Sequence, residues 1–568
     1  MNDIIFNAAL LSDGYKTGHH QQYPDLTQLV YSNFTPRSNK HGPKGVSYLV
    51  SFSQQMAMKQ IHEAFNTGFF NRPKIEVCSE IKRELSLYLN TDYDVSHFEA
   101  LWELGYLPIT VSIIPEGEIV PMRVPVLTIY NTKHEFYWVT NYLETILSQL
   151  LWKGMTSATI ARKYRSVLSE WQRKTDVSNA AFVDFQGHDF SMRGMDSPSA
   201  TIASSLGHLT SFKGSDSLPS IFGARKYYNE TGFVCGSVNA TEHSVMCAGT
   251  KEDEIGTFKR LLDIYPTGIL SIVSDTWDLW TVLTDYLPKM KSDIMARDGK
   301  VVIRPDSGDP VDIICGTANS QYEKIDDFSW ELHGKDLNSW LEDMLLEEVQ
   351  SSTAHGDCGP MAYTGYYNMD GKYVKATITN TTWGMYGPAN IEVEYMELAP
   401  ADKGVIELLW DEFGGTVNSQ GYKVLDSHIG AIYGDSITIE RANEICRRLV
   451  EKGFASTNVV LGIGSFTYQF NTRDTFGFAM KATYVEIDGK GLEIFKDPVT
   501  DDGIKKSARG LLQVVRGENG LELIDGVSWD DAINHSELRL LYKDGTFFNE
   551  TTLTEIRERL SKYEDINV

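Results

Sequence analysis

The segment Val301–Pro310, V-V-I-R-P-D-S-G-D-P, decides the fold. Three β-branched residues in a row make a strand with no polar face, the pattern of a parallel strand covered on both sides. The run stops abruptly at Arg304 and Asp306, a cation and a carboxylate on one rim, before Ser307-Gly308-Asp309-Pro310 turns the chain. The same rhythm recurs at 182–194 (FVDFQGHDFSMRG), 233–244 (FVCGSVNATEHS), 269–278 (ILSIVSDTWD), 428–436 (HIGAIYGDS) and 458–466 (NVVLGIGSF). In a β/α barrel the functional groups emerge where such runs stop. The fold class predicted is therefore α/β, with an irregular β/α-barrel domain and a β-rich α+β domain.

Outward from that core, residues 107–132 (LPITVSIIPEGEIVPMRVPVLTIYNT) read as short strands broken by Pro-containing turns, within an N-terminal α+β domain of residues 1–150. The spacing of apolar residues in 159–174 predicts an amphipathic helix at the entry to a barrel domain of residues 151–496. Residues 311–420 interrupt the rhythm with an acidic helix-like piece and a Gly-, Tyr- and Asn-rich tract, too long for a loop, and read as an insertion. The tail, 497–568, carries an Asp544-Gly545 hairpin signal and a helix start at Thr552–Ile556, and is expected to return to the first domain.

The chain has 568 residues and a formal charge of −25 at pH 7. That surface repels a phosphate backbone, so no nucleic-acid partner is expected. An anionic ligand would have to be held by a local minority of Arg and Lys. The six cysteines are scattered without a Cys-x-x-Cys pair, which argues against a disulfide framework or a zinc site. With no secretory pattern and no apolar run of spanning length, the expectation is a cytoplasmic protein with no membrane partner.

Several strand ends carry chemistry. Arg304 and Asp306 suit a phosphorylated sugar, with Arg on phosphate oxygens and Asp on ribose hydroxyls or magnesium; a structural ion pair at a turn reads equally well. Gly434 and Asp435 in IYGDS, and Gly464 and Ser465 in GIGSF, follow the last two strands, where barrels often bind phosphate, although tight turns need glycine anyway. His243 sits just past a strand at a helix start, as a ligand, an acid/base group, a nucleophile or a structural residue, and Asp278 can orient it. His188, Asp189, Phe190, Arg193 and Asp216 supply an aromatic ring, a guanidinium and carboxylates for a heteroaromatic ligand. Arg473, Lys481 and Lys496 are cations in an acidic chain. A P-loop, a His-Glu-x-x-His motif and a Gly-x-Ser-x-Gly elbow are all absent from the sequence.

Taken in order, SDGYKTGHHQQYP, FTPR, GHDFSMRG, FKGSD, ATEHS, SIVSDTWD, VVIRPDSGDP, YGDS, GIGSF, TRDTFGFAMKATY and IFKDP resemble the nicotinamide phosphoribosyltransferase family, of type II phosphoribosyltransferase architecture. The resemblance covers nearly the whole chain except about 311–420. It implies a homodimer with active sites at the interface, transfer of the 5-phosphoribosyl group from phosphoribosyl pyrophosphate to nicotinamide with magnesium, and ATP hydrolysis through a phosphohistidine. By that resemblance the catalytic residues are His243, Asp278 and Asp306. Phe190 and Tyr15, the latter from the second subunit, stack the nicotinamide ring. Asp216 accepts from the carboxamide, with Asp13 nearby. Ser274, Arg193, Arg304 and Asp435 complete the substrate set. Arg37, Gly434, Gly464, Ser465, Arg473, Lys481 and Lys496 hold phosphate. Ser465 stands where the family pattern has a further glycine. The alternatives are nicotinate phosphoribosyltransferase and a noncatalytic binding protein on the same fold.

Overall fold

The computed structural model describes residues 6–325, 328–330, 336–341, 344–345, 362–369, 371–380, 389–434, 436–496 and 508–563. The chain forms two compact units: Met1–Glu170 with Ala180–Ser237 and Gly462–Val568, and Trp171–Asn179 with Val238–Leu461. These boundaries differ from the sequence bounds at 150 and 496. Residue 150 lies inside a continuous helix, Glu144–Thr175, and residues 180–237 belong with the N- and C-terminal segments.

The first unit is built on a seven-stranded sheet in the order Lys490–Glu493, Ala479–Ile487, Thr27–Thr35, Leu127–Asn131, Ile109–Ile113, Arg539–Lys543, Thr546–Phe547. Its pairings are antiparallel. The tail thus adds a strand beside Ile109–Ile113, and Asp544-Gly545, both at positive φ, close the hairpin expected there. Helices Gln54–Phe65 and Lys74–Leu89 bury Met56, Ile61, Val77 and Ile81 in the core of this unit. The C-terminal helix Leu553–Ser561 opens with a Thr552/Glu555 capping box, two reciprocal bonds that satisfy otherwise orphaned N–H groups.

Two short parallel strands, Gly187–Asp189 and Gly214–Ser215, also belong to this unit, with His188 opposite Gly214. Phe190, just past the first of them, donates its N–H to the Ile463 carbonyl at 3.0 Å. That bond fixes where the aromatic side chain leaves the strand.

In the second unit residues 459–461 of the strand Val459–Ile463 and the strands Ile429–Tyr433, Asp298–Arg304, Thr267–Val273 and Asn239–Ala240 pair in parallel as an open, half-barrel run. Helices Glu254–Ile264, Leu287–Met295, Pro400–Phe413 and Ile439–Glu451 alternate with them. The α/β class read from the sequence holds: the runs at 269–273, 301–303, 429–433 and 459–463 are mostly buried parallel strands, whereas Asn239–Ala240 is exposed; Arg304 ends its strand at the last pairing and Asp306 follows it.

The excursion after Asp298–Arg304 has its own sheet, Glu323–Ile325, Ala362–Met369, Lys372–Asn380 and Ala389–Tyr395, and its own small core, including Leu341, Val374, Ala376 and Ile378. Its two ends meet at Gly316 and Gly404. Both have positive φ, and a Cβ on Gly404 would lie 2.2 Å from the Gly316 nitrogen, so only glycine fits this neck. Helices Pro310–Cys315 and Pro400–Phe413 therefore belong to the α/β framework, and the excursion is narrower than 311–420. Among the described residues no helix is long and apolar enough to cross a membrane, and the five described cysteines are free.

Candidate functional site

In the second unit, strands Thr267–Val273 and Asp298–Arg304 end level with each other, because Thr267–Val273 pairs residue for residue with Asp298–Arg304. The Ser274 N–H then donates to the Arg304 carbonyl at 3.1 Å, and Asp275 follows directly. One carboxylate oxygen of Asp275, Oδ2, accepts from the Asp306 N–H at 2.9 Å and the Ser307 hydroxyl at 2.6 Å. The other, Oδ1, is buried without a hydrogen-bond partner among the described residues. A carboxylate oxygen left dry in this way is a site for a donor or a cation brought by a ligand.

His243 begins the helix His243–Ala248. Its Nδ1 lies 3.3 Å from the Thr276 hydroxyl and its Nε2 3.7 Å from Asp306 Oδ2, while the imidazole remains half exposed. Gly434 closes the same rim: a Cβ there would fall 2.7 Å from Asp306 Oδ1 and 3.3 Å from Arg304 Nε. This glycine serves close packing of two site side chains. Asp435 lies outside the described residues.

Two residues of the sequence-derived set, Asp278 and Ser274, are engaged in local bonds. Asp278 caps the helix Leu279–Thr281, accepting from the Trp280 and Thr281 N–H groups and from the Thr281 hydroxyl, and these bonds hold its carboxyl below the usual carboxylate range. The groups at His243 are Thr276 and Asp306. Ser274 is fully buried and donates its hydroxyl to the Ile272 carbonyl at 2.7 Å, so it faces inward from the rim.

In the first unit, the strand Gly187–Asp189 delivers His188, Asp189 and Phe190. Asp189 is fully buried and organises the strand ends, accepting from the Ser191 N–H and hydroxyl and from the Ser215 hydroxyl. Asp216, one residue past the neighbouring strand, stays partly exposed. Its Oδ1 meets His188 Nε2 at 2.9 Å and accepts from the Ser237 hydroxyl. The Phe190 ring lies 4.6 Å from the His188 ring, tilted by 39°. The structure thus assembles Phe190, His188 and Asp216 on one rim, with Arg193 exposed on the following turn.

The glycine-containing turn Gly464-Ser465 opens the helix Ser465–Gln469. A Cβ on Gly194 would fall 2.1 Å from Ser465 Oγ, so the serine packs against the turn that bears Arg193. Four cations gather near the sheet edge. Lys481, opposite Asn33, has its ammonium pKa lowered by burial first; the charge of Glu144 opposes the shift, and those of Arg37, Lys496 and Arg473 add to it. The Arg37 Nε donates to the Gly477 carbonyl at 2.8 Å. Three positive side chains close enough to disfavour the charge of Lys481 make with it a local surplus of cations in an acidic chain.

The N-terminal segment is pinned to the start of helix Glu144–Thr175: Thr145 donates to Asp13 Oδ2 at 2.7 Å, and Lys16 pairs with Glu144 at 2.7 Å. Between those anchors the Tyr15 ring is left 65% exposed.

Sequence reasoning missed Asp275 and Thr276. The signal was present: Asp275 is the first acid after the apolar run, whereas Asp278 stands one residue before a helix, where an Asp usually caps.

The sequence profile of the nicotinate phosphoribosyltransferase (NAPRTase) family matches residues 185–333 and 390–546, skipping most of the excursion. A nicotinamide phosphoribosyltransferase of Acinetobacter baylyi is 43% identical over 562 residues, covering 97% of this chain and 96% of that protein. One of Mycoplasma pneumoniae is 32% identical over 508 residues, covering 87% and 92%. Among solved structures, the nicotinate-nucleotide pyrophosphorylase of Pyrococcus furiosus aligns over 99% of this chain and 96% of its own at 13% identity and a TM-score of 0.49. The chain is a pentosyltransferase. It belongs to the nicotinate phosphoribosyltransferase family.

Proposed function

We propose that this enzyme transfers the 5-phosphoribosyl group of phosphoribosyl pyrophosphate to nicotinamide, giving nicotinamide mononucleotide and pyrophosphate in NAD biosynthesis. The observation that carries the choice of acceptor is Asp216, a carboxylate fixed by His188 beside the Phe190 ring. A carboxamide donates to such a group, whereas nicotinate presents a second negative charge. The names of the Acinetobacter and Mycoplasma relatives support the same acceptor.

In this reading the C1–oxygen bond to pyrophosphate breaks, the ribosyl ring gains oxocarbenium character, and the pyridine nitrogen forms the new bond. The chain's part is positioning and charge placement. Arg304 in the second unit receives phosphate oxygens, as do Arg193, with Gly464 and Ser465 shaping its turn, and the cluster Arg37, Arg473, Lys481 and Lys496 in the first. Asp306 faces the ribose. The unpartnered Asp275 oxygen beside Asp306 fits magnesium, which typically takes one or two protein carboxylates together with substrate phosphates. When bound, that ion would neutralise charge on the phosphates.

His243 is the proposed phosphoryl acceptor from ATP. Thr276 engages Nδ1, which leaves Nε2 as the nucleophile, and the half-exposed ring is open to a nucleotide. The enzyme acts as a homodimer in this reading. Support comes from the Tyr15 ring, exposed between two anchors as a donated aromatic would be, and from exposed Phe222, Phe466 and Phe470.

The deciding experiment offers purified enzyme the phosphoribosyl donor and magnesium with nicotinamide or nicotinate, with and without ATP, and measures mononucleotide. Preferred turnover of nicotinamide, stimulated by ATP, is expected; preferred turnover of nicotinate would reassign the acceptor.

A further inference from the structure

We propose that the first unit carries a second oxyanion site, for a small phosphate-type dianion, in a cavity of about 330 Å3 at the strand ends opposite those bearing Asp216 and Phe190. Asp184 lies three residues before the strand Gly187–Asp189, and Lys213 immediately precedes Gly214–Ser215, whereas Phe190 and Asp216 follow those same strands. The Lys213 N–H donates to the Asp184 carbonyl at 2.6 Å and closes this end. Helix Glu144–Thr175 adds Arg162 and Arg165 to the wall, and helix Leu553–Ser561 adds Arg557 and Glu558.

Four cations thus face two carboxylates, and one carboxylate is already taken. Asp184 is shared between Arg165 at 2.8 Å and Lys213 at 2.7 Å. Arg557 is the unusual member. Its hydrogen bonds run to the carbonyls of Leu209 and Val234 at 2.6 Å and of Phe212 and Phe233 at 3.4 Å, and among the described residues no carboxylate pairs with it. Burial pulls its guanidinium down to about 10. A buried cation held by carbonyl dipoles and by the more distant charges of Glu230 and Asp184, with no ion pair of its own among the described residues, gains when an anion arrives, because much of the desolvation cost is already incurred. Arg162 is only 4% exposed and lies on the same wall.

The ligand class follows from donor type and size. Guanidinium groups present paired N–H donors that match phosphate oxygens. A volume near the lower end of ligand pockets, which run from roughly 300 to 1,000 Å3, suits orthophosphate, diphosphate or the phosphate end of a small metabolite. In a chain of charge −25, a concave wall with a surplus of arginine is where such an anion would collect.

The test is calorimetric titration of inorganic phosphate, diphosphate and sulfate in a background carrying R193A, R304A, R473A and K481A together, which removes cations from the other proposed phosphate contacts. One phosphate or diphosphate per chain is expected to remain. Lys213→Glu, a partly exposed substitution, should weaken it at least tenfold while leaving phosphoribosyl transfer in the otherwise wild-type enzyme unchanged. Arg165→Gln, checked for fold by circular dichroism, is the second variant. Loss of all phosphate binding in that background, or binding that neither variant weakens, overturns the proposal. Sulfate binding equal to that of phosphate would mean an adventitious ion only and overturns it too.

Discussion

Nε2 of His188 stands 2.9 Å from Oδ1 of Asp216, and Gly214 backs the imidazole so closely that a Cβ there would lie 2.6 Å from Nδ1. The ring has little room to turn away, so the carboxylate is held in one orientation. Two unit charges about 4 Å apart at an effective dielectric of about 20 repel by about 4 kcal/mol. Asp216 is 41% exposed, and solvent screening reduces that figure. Asp216→Asn is expected to narrow the nicotinamide-to-nicotinate ratio of kcat/KM by roughly ten- to a hundredfold. An unchanged ratio would remove the carboxylate from the account of selectivity.

His243→Ala should abolish stimulation by ATP while some basal transfer survives, because no other group proposed here accepts the phosphoryl. Steady-state rates with and without ATP measure this, and acid-labile label retained on the protein after incubation with γ-labelled ATP should disappear in the variant. Full stimulation in the variant would exclude this residue as the acceptor.

Asp275→Asn keeps the acceptor for the Asp306 N–H but weakens the dry oxygen as a cation ligand. The expected effect is an apparent magnesium requirement raised by roughly tenfold or more, a loss of about 1.4 kcal/mol. Magnesium titrations at saturating donor read this directly; a superimposable titration would assign the ion elsewhere.

Gly434→Ala inserts a methyl group 2.7 Å from Asp306 Oδ1. Asp306 and Arg304 must move, so kcat/KM should fall by tens of fold, about 2 kcal/mol, with a much smaller change in melting temperature. A drop in stability with unaltered kinetics in the folded fraction would show that the position matters only for packing.

Glu116 is 1% exposed, and burial raises its carboxyl to about 7 from 4.5. Its Oε1 accepts from the Gln55 N–H at 2.7 Å, while Oε2 is buried without a partner among the described residues. The native state therefore keeps a proton that the unfolded chain releases above 4.5. This contribution, about 3 kcal/mol, is complete below pH 4.5 and is lost as pH rises through 7. Glu116→Gln has no proton to lose, so its stability relative to wild type should climb between pH 5 and 8. Urea unfolding of both proteins at the two pH values measures it, and parallel pH dependences would mean that Glu116 ionises normally.

The parallel strands were legible because Val301–Ile303 and its counterparts are apolar on both faces, and so was the placing of Arg304, Asp306 and Asp216, since residues that follow such runs have nowhere to go but the rim. The Asp-Gly hairpin and the Thr552 cap were equally local. Long-range choices were not legible. That Asp275 bonds the Asp306 N–H while Asp278 caps a helix start, and that Ser274 bonds Ile272, are contacts set by the folded backbone path. The neck at Gly316 and Gly404 required knowing that residues 88 positions apart touch. His188 was in view as part of GHDFSMRG, but its partnership with Asp216 is a contact across two strands that no spacing reports.

The neck makes the excursion a side branch of the chain. Since the path leaves and re-enters at nearly one point, lengthening the detour costs the framework little, about 0.6 kcal/mol of loop-closure entropy for each doubling. The excursion can lengthen, shorten or be exchanged for another folded module without retuning the parallel strands. New chain ends opened within it would leave the rim of Arg304, Asp306 and Gly434 as it stands.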